Sequence, residues 1–113
     1  MADRPLLDDD EAAELTALYK VLANPRRLRL LHAIERAGEI RVGDIAEEVG
    51  MSVQAVSNQL QRLADQRILE ARREGNSAYY RIIDRCVPGL LELGICLVEE
   101  NAKRAAVSDR RRR

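Results

Sequence analysis

Five polar side chains in the segment that begins at Ser52 could contact nucleic-acid bases. If this segment is helical, they lie on one side of the helix. They are Gln54, Ser57, Asn58, Gln61 and Arg62. Amide and guanidinium groups match base edges in a major groove, and hydroxyl groups suit phosphates. The other side repeats apolar residues at helical spacing, which predicts a buried face. A merely polar surface helix is the other interpretation, and the pattern alone leaves it open.

A basic segment follows this helix and is predicted to form a β-hairpin. Its strands extend over residues 68–73 and 78–83, and Gly75 and Asn76 at the turn suit positive φ angles. Arg72, Arg73 and Asn76 lie near its tip. A basic hairpin beside a polar helix can hold phosphates on either side of a groove. We therefore add these three residues, and the helix-capping hydroxyl of Ser52, to the candidate nucleic-acid contacts.

The other elements are predicted to be helical. Apolar spacing, caps and helix breakers divide the chain into successive helices. A first helix capped by Asp9 or Asp10 ends at Asn24-Pro25, and further helices cover residues 25–37, 43–49 and, after Asp84, up to about Arg104. A short helix, a tight turn at residues 50–52 and a longer helix have the lengths of a helix-turn-helix. The predicted fold is mainly α with a small β-hairpin, in the order α-α-α-α-β-β-α.

Length and charge predict one domain with charged ends. The chain has 113 residues, and its 19 Lys plus Arg balance 19 Asp plus Glu. An acidic head at residues 1–8 and a basic tail at residues 107–113 lack apolar periodicity, so we expect both to be disordered. The folded domain between them, residues 9–106, is nearly neutral. Because the charged ends offset each other, zero net charge does not exclude nucleic acid.

Composition argues against several other classes of protein. A single His without a neighbouring nucleophile, and the lack of a Gly-rich phosphate loop, argue against an enzyme. No stretch approaches the about 20 apolar residues of a membrane helix. The acidic N-terminus is unlike a signal peptide, so we expect a cytoplasmic protein with reduced cysteines.

Two segments, residues 22–34 and 52–82, resemble the winged helix-turn-helix of the ArsR/SmtB family of metal- and stress-responsive bacterial repressors. The motifs are LANPRRLRLL, VSNQLQRL and a wing that ends in Tyr80-Arg81-Ile82. The resemblance covers about residues 11–100. It implies a cytoplasmic homodimer, joined through its first and last helices, that binds a palindromic double-stranded DNA operator and is released by an inducer.

The resemblance also implies two places for an inducer. Arsenic sensors of the family carry two cysteines where this chain has residues 39–45, which contain none. Sensors of zinc, cobalt and nickel carry ligands on the last helix, contributed by both subunits. There Asp84 and Glu100 fit a ligand role, whereas Cys86 and Leu97 replace histidines. A site for Ni(II) or Zn(II), or for a thiol-reactive signal, would thus use Asp84, Cys86, Cys96 and Glu100.

Helical geometry restricts how the two cysteines could act together. Within one helix Cys86 and Cys96 are separated by about 15 Å of rise, too far for a disulfide. Across an antiparallel pair of last helices Cys86 would approach the second chain's Cys96, and Gly89 and Gly94 would allow close approach. Packing of both cysteines in a dimer core is the alternative. The lone His32 is interpreted as a core-edge residue rather than a ligand.

Two hypotheses of function follow. The first is a dimeric DNA-binding transcriptional regulator, with the predicted helix capped by Ser52 in the groove and the hairpin on the flanking backbone. The second is a winged-helix interaction module that acts through a co-regulator protein and senses no metal. Zero net charge and the weakly basic recognition helix motivate the second hypothesis.

Overall fold

Five helices and three short strands make up residues 2–112, the part of the chain that this computed structural model describes. The helices are α1 (Asp9–Leu22), α2 (Pro25–Ala37), α3 (Val42–Val49), α4 (Val53–Asp65) and α5 (Cys86–Arg112). The strands are β1 (Glu39–Arg41), β2 (Leu69–Glu74) and β3 (Ser77–Ile82). The architecture confirms the prediction of a mainly helical chain with a β-hairpin between the fourth and last helices.

Local capping residues set most helix boundaries. Asn24 accepts hydrogen bonds from the N–H groups of Arg26 and Arg27 at 3.0 and 3.1 Å, and Pro25 fills the first helical position. Ser52 caps α4 by accepting the N–H of Ala55 at 3.1 Å. Gly50 adopts a left-handed conformation with φ of 70° after α3, a conformation that glycine adopts without steric cost.

The cap of α1 differs from our expectation. Asp8, rather than Asp9 or Asp10, accepts the N–H of Glu11 at 2.8 Å, and the Glu11 carboxylate accepts the N–H of Asp8 at 3.1 Å. This reciprocal capping box requires a Glu three residues after the cap. Asp8 satisfies that spacing, whereas Asp9 and Asp10 are followed at that distance by Ala12 and Ala13.

The sheet contains a third strand that the sequence did not predict as a partner of the hairpin. The strand order is β1-β3-β2 and both pairings are antiparallel. Ile40 pairs with Tyr80, so the short extended segment before α3 becomes an edge of the sheet. The additional strand attaches the base of the hairpin to the helix-turn-helix.

A single apolar core lies between α2, α3, α4 and the sheet. Its fully buried side chains are Leu30, Leu31, Ile34, Ile45, Val56, Leu60, Leu63 and Leu69. They come from α2, from both helices of the helix-turn-helix and from the hairpin. The core therefore fixes the orientation of α4 and the hairpin relative to each other.

Helices α1 and α5 contribute little to this core. Leu22 is the one buried residue of α1, and Leu18 and Tyr19 remain 39 % and 49 % exposed. On α5, Leu93, Leu97 and Val98 are 71 %, 58 % and 69 % exposed. Each helix thus presents an apolar surface with no cover from its own chain.

The end of the chain also differs from our expectation. We expected residues 107–113 to be a disordered basic tail, but α5 continues to Arg112, and Arg113 lies outside the described residues. Ala105 and Ala106 favour helix, and basic residues near a helix C-terminus interact favourably with its dipole. The expected disordered head, residues 1–8, precedes α1. None of the helices within residues 2–112 is long and apolar enough to cross a membrane.

Candidate nucleic-acid interface

One face of α4 is buried and the other is polar and exposed. Val56, Leu60 and Leu63 anchor the helix in the core. The candidate contacts on the other face are Gln54, Asn58, Gln61 and Arg62, all exposed, and Ser57, which is half-buried. The helix thus presents amide and guanidinium groups to solvent from a rigid support, as base recognition in a groove requires.

Two hydrogen bonds order side chains on this face. The Gln54 amide nitrogen donates to the Asn58 side-chain oxygen at 3.0 Å. The Gln61 amide nitrogen donates to the Asp65 carboxylate at 3.1 Å. Gln54 and Asn58 are one helical turn apart, so they act as a connected pair of amides. The exposed polar face is therefore partly preorganised.

The turn between α3 and α4 is tied to α2. Arg29 donates from Nη1 to the carbonyl oxygen of Val49 at 3.1 Å. That carbonyl belongs to the last turn of α3, where a helix leaves acceptors without partners. The bond holds the end of α3 next to Gly50 and Ser52, where the chain changes direction into α4.

Arg72 lies in an ion-pair network on the hairpin. Its guanidinium contacts Glu39 at 2.7 Å and Glu74 at 2.8 Å. The same group lies 4.7 Å from the centre of the Tyr79 ring, a cation–π distance. Because two carboxylates already surround this charge, Arg72 is less available to phosphates than the sequence suggested.

The network shifts the ionisation of its members. The hydrogen bond from Arg72 holds the pKa of the Glu39 carboxyl below its ordinary range. Hydrogen bonds to Glu39 and Glu74 raise the pKa of the Arg72 guanidinium. The pair of Glu39 and Arg72 therefore stays ionised at neutral pH.

Arg72 and Arg73 lie on opposite faces of β2. Successive side chains on a strand point to opposite faces. Glu70, Arg72 and Glu74 share one face of β2, on which Arg81 also pairs with Glu70. Arg73 lies on the other face of β2, is exposed and takes no part in these ion pairs. Arg73 and the turn residue Asn76 are thus exposed polar groups of the hairpin that lie outside this ion-pair network.

The four candidate metal ligands lie at the surface of α5 and its entry. Cys86 and Cys96 are free and exposed, and Glu100 is exposed. Asp84 accepts a hydrogen bond from the N–H of Cys86 at 2.8 Å. Among residues 2–112 of one chain no three potential ligands cluster around a point that could hold a metal. A site made from these residues needs ligands from a second chain.

An open groove of about 700 Å³ lies between three helices: the C-terminal end of α1, α2 and α5. Apolar side chains line most of it, among them Leu28, which is 40 % exposed. His32 is exposed and contributes to the same lining. The groove is continuous with the uncovered apolar surfaces of α1 and α5.

The chain is similar to known proteins both in sequence and in structure. A MarR-family model matches residues 24–78, from the cap of α2 into β3. The "Transcriptional repressor SmtB homolog" of Synechocystis is 40 % identical over 81 residues, which are 72 % of this chain and 61 % of that protein. The solution structure of the homodimeric winged helix-turn-helix domain of Mb0332 from Mycobacterium bovis, "a possible ArsR-family transcriptional regulator", superposes with a TM-score of 0.72. It is 36 % identical, and the match covers 92 % of this chain and 95 % of that one.

This chain belongs to the ArsR/SmtB family of transcriptional regulators. The crystal structure of the AntR antimony-specific transcriptional repressor is 59 % identical in sequence to it and superposes with a TM-score of 0.82. That match covers 89 % of this chain and 91 % of AntR. These relatives are described as regulators or repressors of transcription, which favours the first of our two hypotheses over the interaction module and over an enzyme.

Proposed function

We propose that this ArsR/SmtB chain is a homodimeric repressor that binds a two-fold symmetric DNA operator. The exposed amide and guanidinium face of α4, anchored by Val56, Leu60 and Leu63, carries the proposal. In each subunit α4 enters the major groove, where Gln54, Asn58 and Arg62 contact base edges. Ser52, Ser57 and Gln61 contact the adjacent backbone or bases, and Arg73 and Asn76 contact the flanking phosphates.

The uncovered surfaces of α1 and α5 support the homodimer. Exposed leucines at positions 18, 93 and 97 are costly in water, and pairing with a second copy would remove them from it. The groove beside these helices extends the apolar area. The Mb0332 domain, which resembles this chain over nearly its full length, is described as homodimeric.

The proposed effector is a soft, thiophilic ion held between the two α5 helices. Cys86 and Cys96 are free, exposed and ten residues apart, so antiparallel α5 helices can bring one of each together. Thiolates prefer soft ions, and α5 carries no imidazole among residues 86–112. Antimony(III) is the first ion to test, because AntR is antimony-specific. Zn(II) and Ni(II), with Asp84 and Glu100 as further ligands, are the next.

Binding to the DNA upstream of the protein's own gene tests the first part of the proposal. Fluorescence anisotropy with this duplex and with a scrambled duplex should show tighter binding to the upstream DNA. Affinity should fall steeply between low and moderate salt as counterions are released from the phosphates. Addition of antimony(III) should release the protein. Binding that is indifferent to salt and sequence, or that requires a second protein, would contradict the proposal.

A further inference from the structure

We infer that Arg27 positions the recognition helix α4 by connecting it to the C-terminal end of α1. The inference rests on the proposed operator binding and assigns to that function a residue that does not touch DNA. The Arg27 side chain is half-buried at the start of α2. One guanidinium group therefore lies where three helices meet.

Two hydrogen bonds fix this guanidinium. Arg27 donates from Nε to the side-chain oxygen of Gln59 on α4 at 3.0 Å. It donates from Nη1 to the carbonyl oxygen of Val21 at 2.9 Å. Val21 lies in the last turn of α1, whose carbonyls have no partner within the helix. The planar guanidinium can hold both acceptors at once in a fixed geometry, which a lysine ammonium cannot reproduce.

The backbone of Arg27 is fixed as well. Its N–H donates to the Asn24 side chain at 3.1 Å, within the cap that joins α1 to α2. The cap thus fixes the backbone of Arg27, and the bonds to α1 and α4 fix its guanidinium. Arg27 is consequently a fixed connection rather than a mobile surface charge.

The side chain of Gln59 on α4 contacts α2 rather than solvent alone. It is half-buried and lies one turn from Val56 and from Leu63, both of which are buried. Its neighbour in sequence, Asn58, is exposed on the polar face. A rotation of α4 that broke the bond to Arg27 would therefore displace Asn58 relative to the groove.

The bond to Val21 connects this contact to a helix outside the core. α1 presents its uncovered apolar surface to solvent, the surface that we propose lies in the dimer interface. Arg27 therefore couples the orientation of α4 in one subunit to the proposed dimer interface. Such a connection would fix the distance and angle between the two recognition helices of a dimer, on which a half-site spacing depends.

A double-mutant cycle on operator binding tests this role. The variants are Arg27→Met, Gln59→Met and the double substitution, measured by anisotropy on the upstream duplex and on a scrambled duplex. Each single variant should lose about tenfold in operator affinity, the scale of a hydrogen bond to a charged group. The double variant should lose no more than the worse single variant, because both remove the same contact. Affinity for the scrambled duplex should change by less than about twofold, because α4 keeps its charge.

Arg36→Met is the matched control. Arg36 also lies on α2, and its guanidinium contacts Glu48 on α3 at 3.3 Å, but this contact involves neither Gln59 nor α1. This variant should leave the ratio of operator to scrambled binding unchanged. Arg27→Lys retains the charge and should lose operator affinity as Arg27→Met does, which keeps the test valid if the methionine variant folds poorly.

The outcomes separate the inference from the function on which it rests. If the wild type binds the operator and Gln59→Met binds it with the same affinity, only the role of Arg27 is overturned. Additive losses in the double-mutant cycle would overturn that role as well. A wild-type protein that does not prefer the upstream duplex would overturn both. Equal losses on both duplexes would assign Arg27 to stability rather than positioning.

Discussion

Asp84 accepts a hydrogen bond of 2.8 Å from the backbone N–H of Cys86, where the chain enters α5. The carbonyl of Asp84 also accepts the N–H of Val87 at 3.3 Å. Together these bonds satisfy donors that the first turn of a helix leaves without partners. They also hold the backbone of Cys86, the first residue of α5, in one orientation. The carboxylate of Asp84 thus has a structural use that does not depend on a metal.

Substitution of Asp84 distinguishes a capping residue from a metal ligand. We expect Asp84→Ala to lower the free energy of unfolding by about 1 kcal/mol, as the loss of a cap does. Asp84→Asn should keep most of that stability, because an amide oxygen can also accept the bond. Urea unfolding measures the free energy of unfolding of both variants. If Asp84→Asn is stable but no longer responds to the ion that releases DNA, Asp84 is a ligand.

The two cysteines allow a complementation experiment. If each site joins Cys86 of one subunit to Cys96 of the other, the Cys86→Ser and Cys96→Ser homodimers should both fail to release DNA with antimony(III). After subunit exchange, mixed dimers retain one intact site, so the mixture should regain part of the response. Anisotropy with the operator duplex measures release, and binding without the ion is the control. A mixture as unresponsive as either parent would contradict a shared site.

Charges placed on the uncovered helices should dissociate the dimer. Leu18→Glu on α1 or Leu97→Glu on α5 would bury an unpaired carboxylate in the proposed interface. We expect the dimer dissociation constant to rise by about tenfold or more, measured by sedimentation. Val53→Glu is the control, because Val53 is 55 % exposed but lies on α4. A Leu97→Glu protein that dimerises like the wild type would exclude this face of α5 from the interface.

The hairpin arginines should differ in their effect on DNA binding. Arg73→Ala should weaken binding to all duplexes alike and reduce the slope of log affinity against log salt by about 1, because one phosphate contact is lost. Arg72→Ala should leave that slope nearly unchanged, since Glu39 and Glu74 already neutralise this charge. Salt titrations of both variants make the comparison. A larger change of slope in Arg72→Ala than in Arg73→Ala would assign the phosphate contact to Arg72.

The ion pair between Glu39 and Arg72 predicts a pH dependence of the hairpin. The hydrogen bond from Arg72 lowers the pKa of Glu39 in the folded state. A carboxyl with a lowered pKa stabilises the fold above its unfolded-state pKa, and this contribution is lost as pH falls through the folded-state pKa. NMR titration should therefore place the Glu39 midpoint below the ordinary glutamate range, and Arg72→Met should return it upward. A midpoint that Arg72→Met leaves unchanged would contradict the pairing.

Local chemistry explains what the sequence predicted well. The cap residues Asn24 and Ser52 and the stop at Gly50 act within three residues along the chain, so they can be recognised without knowledge of the fold. The period of Val56, Leu60 and Leu63 likewise determines which side of α4 is buried. The polar face of the recognition helix was therefore identifiable before any tertiary structure was known.

Contacts between distant residues explain what the sequence did not predict. Arg72 meets Glu39, 33 residues away, only because β1 pairs with β3 and brings Glu39 beside the hairpin. A strand of three residues carries too little periodicity to be paired in advance. Arg27 and Gln59 are 32 residues apart, and they meet only because α2 and α4 pack against the same core.

The strands at the two edges of the sheet also affect how the protein behaves at high concentration. β1 and β2 are the edges, and four of the six residues of β2 and two of the three of β1 are charged. A strand from another molecule that added to either edge would have to accommodate these charges beside its own side chains. Short, charged edges of this kind resist such pairing and the aggregation to which it leads. The hairpin can therefore extend into solvent without promoting sheet-to-sheet association between molecules.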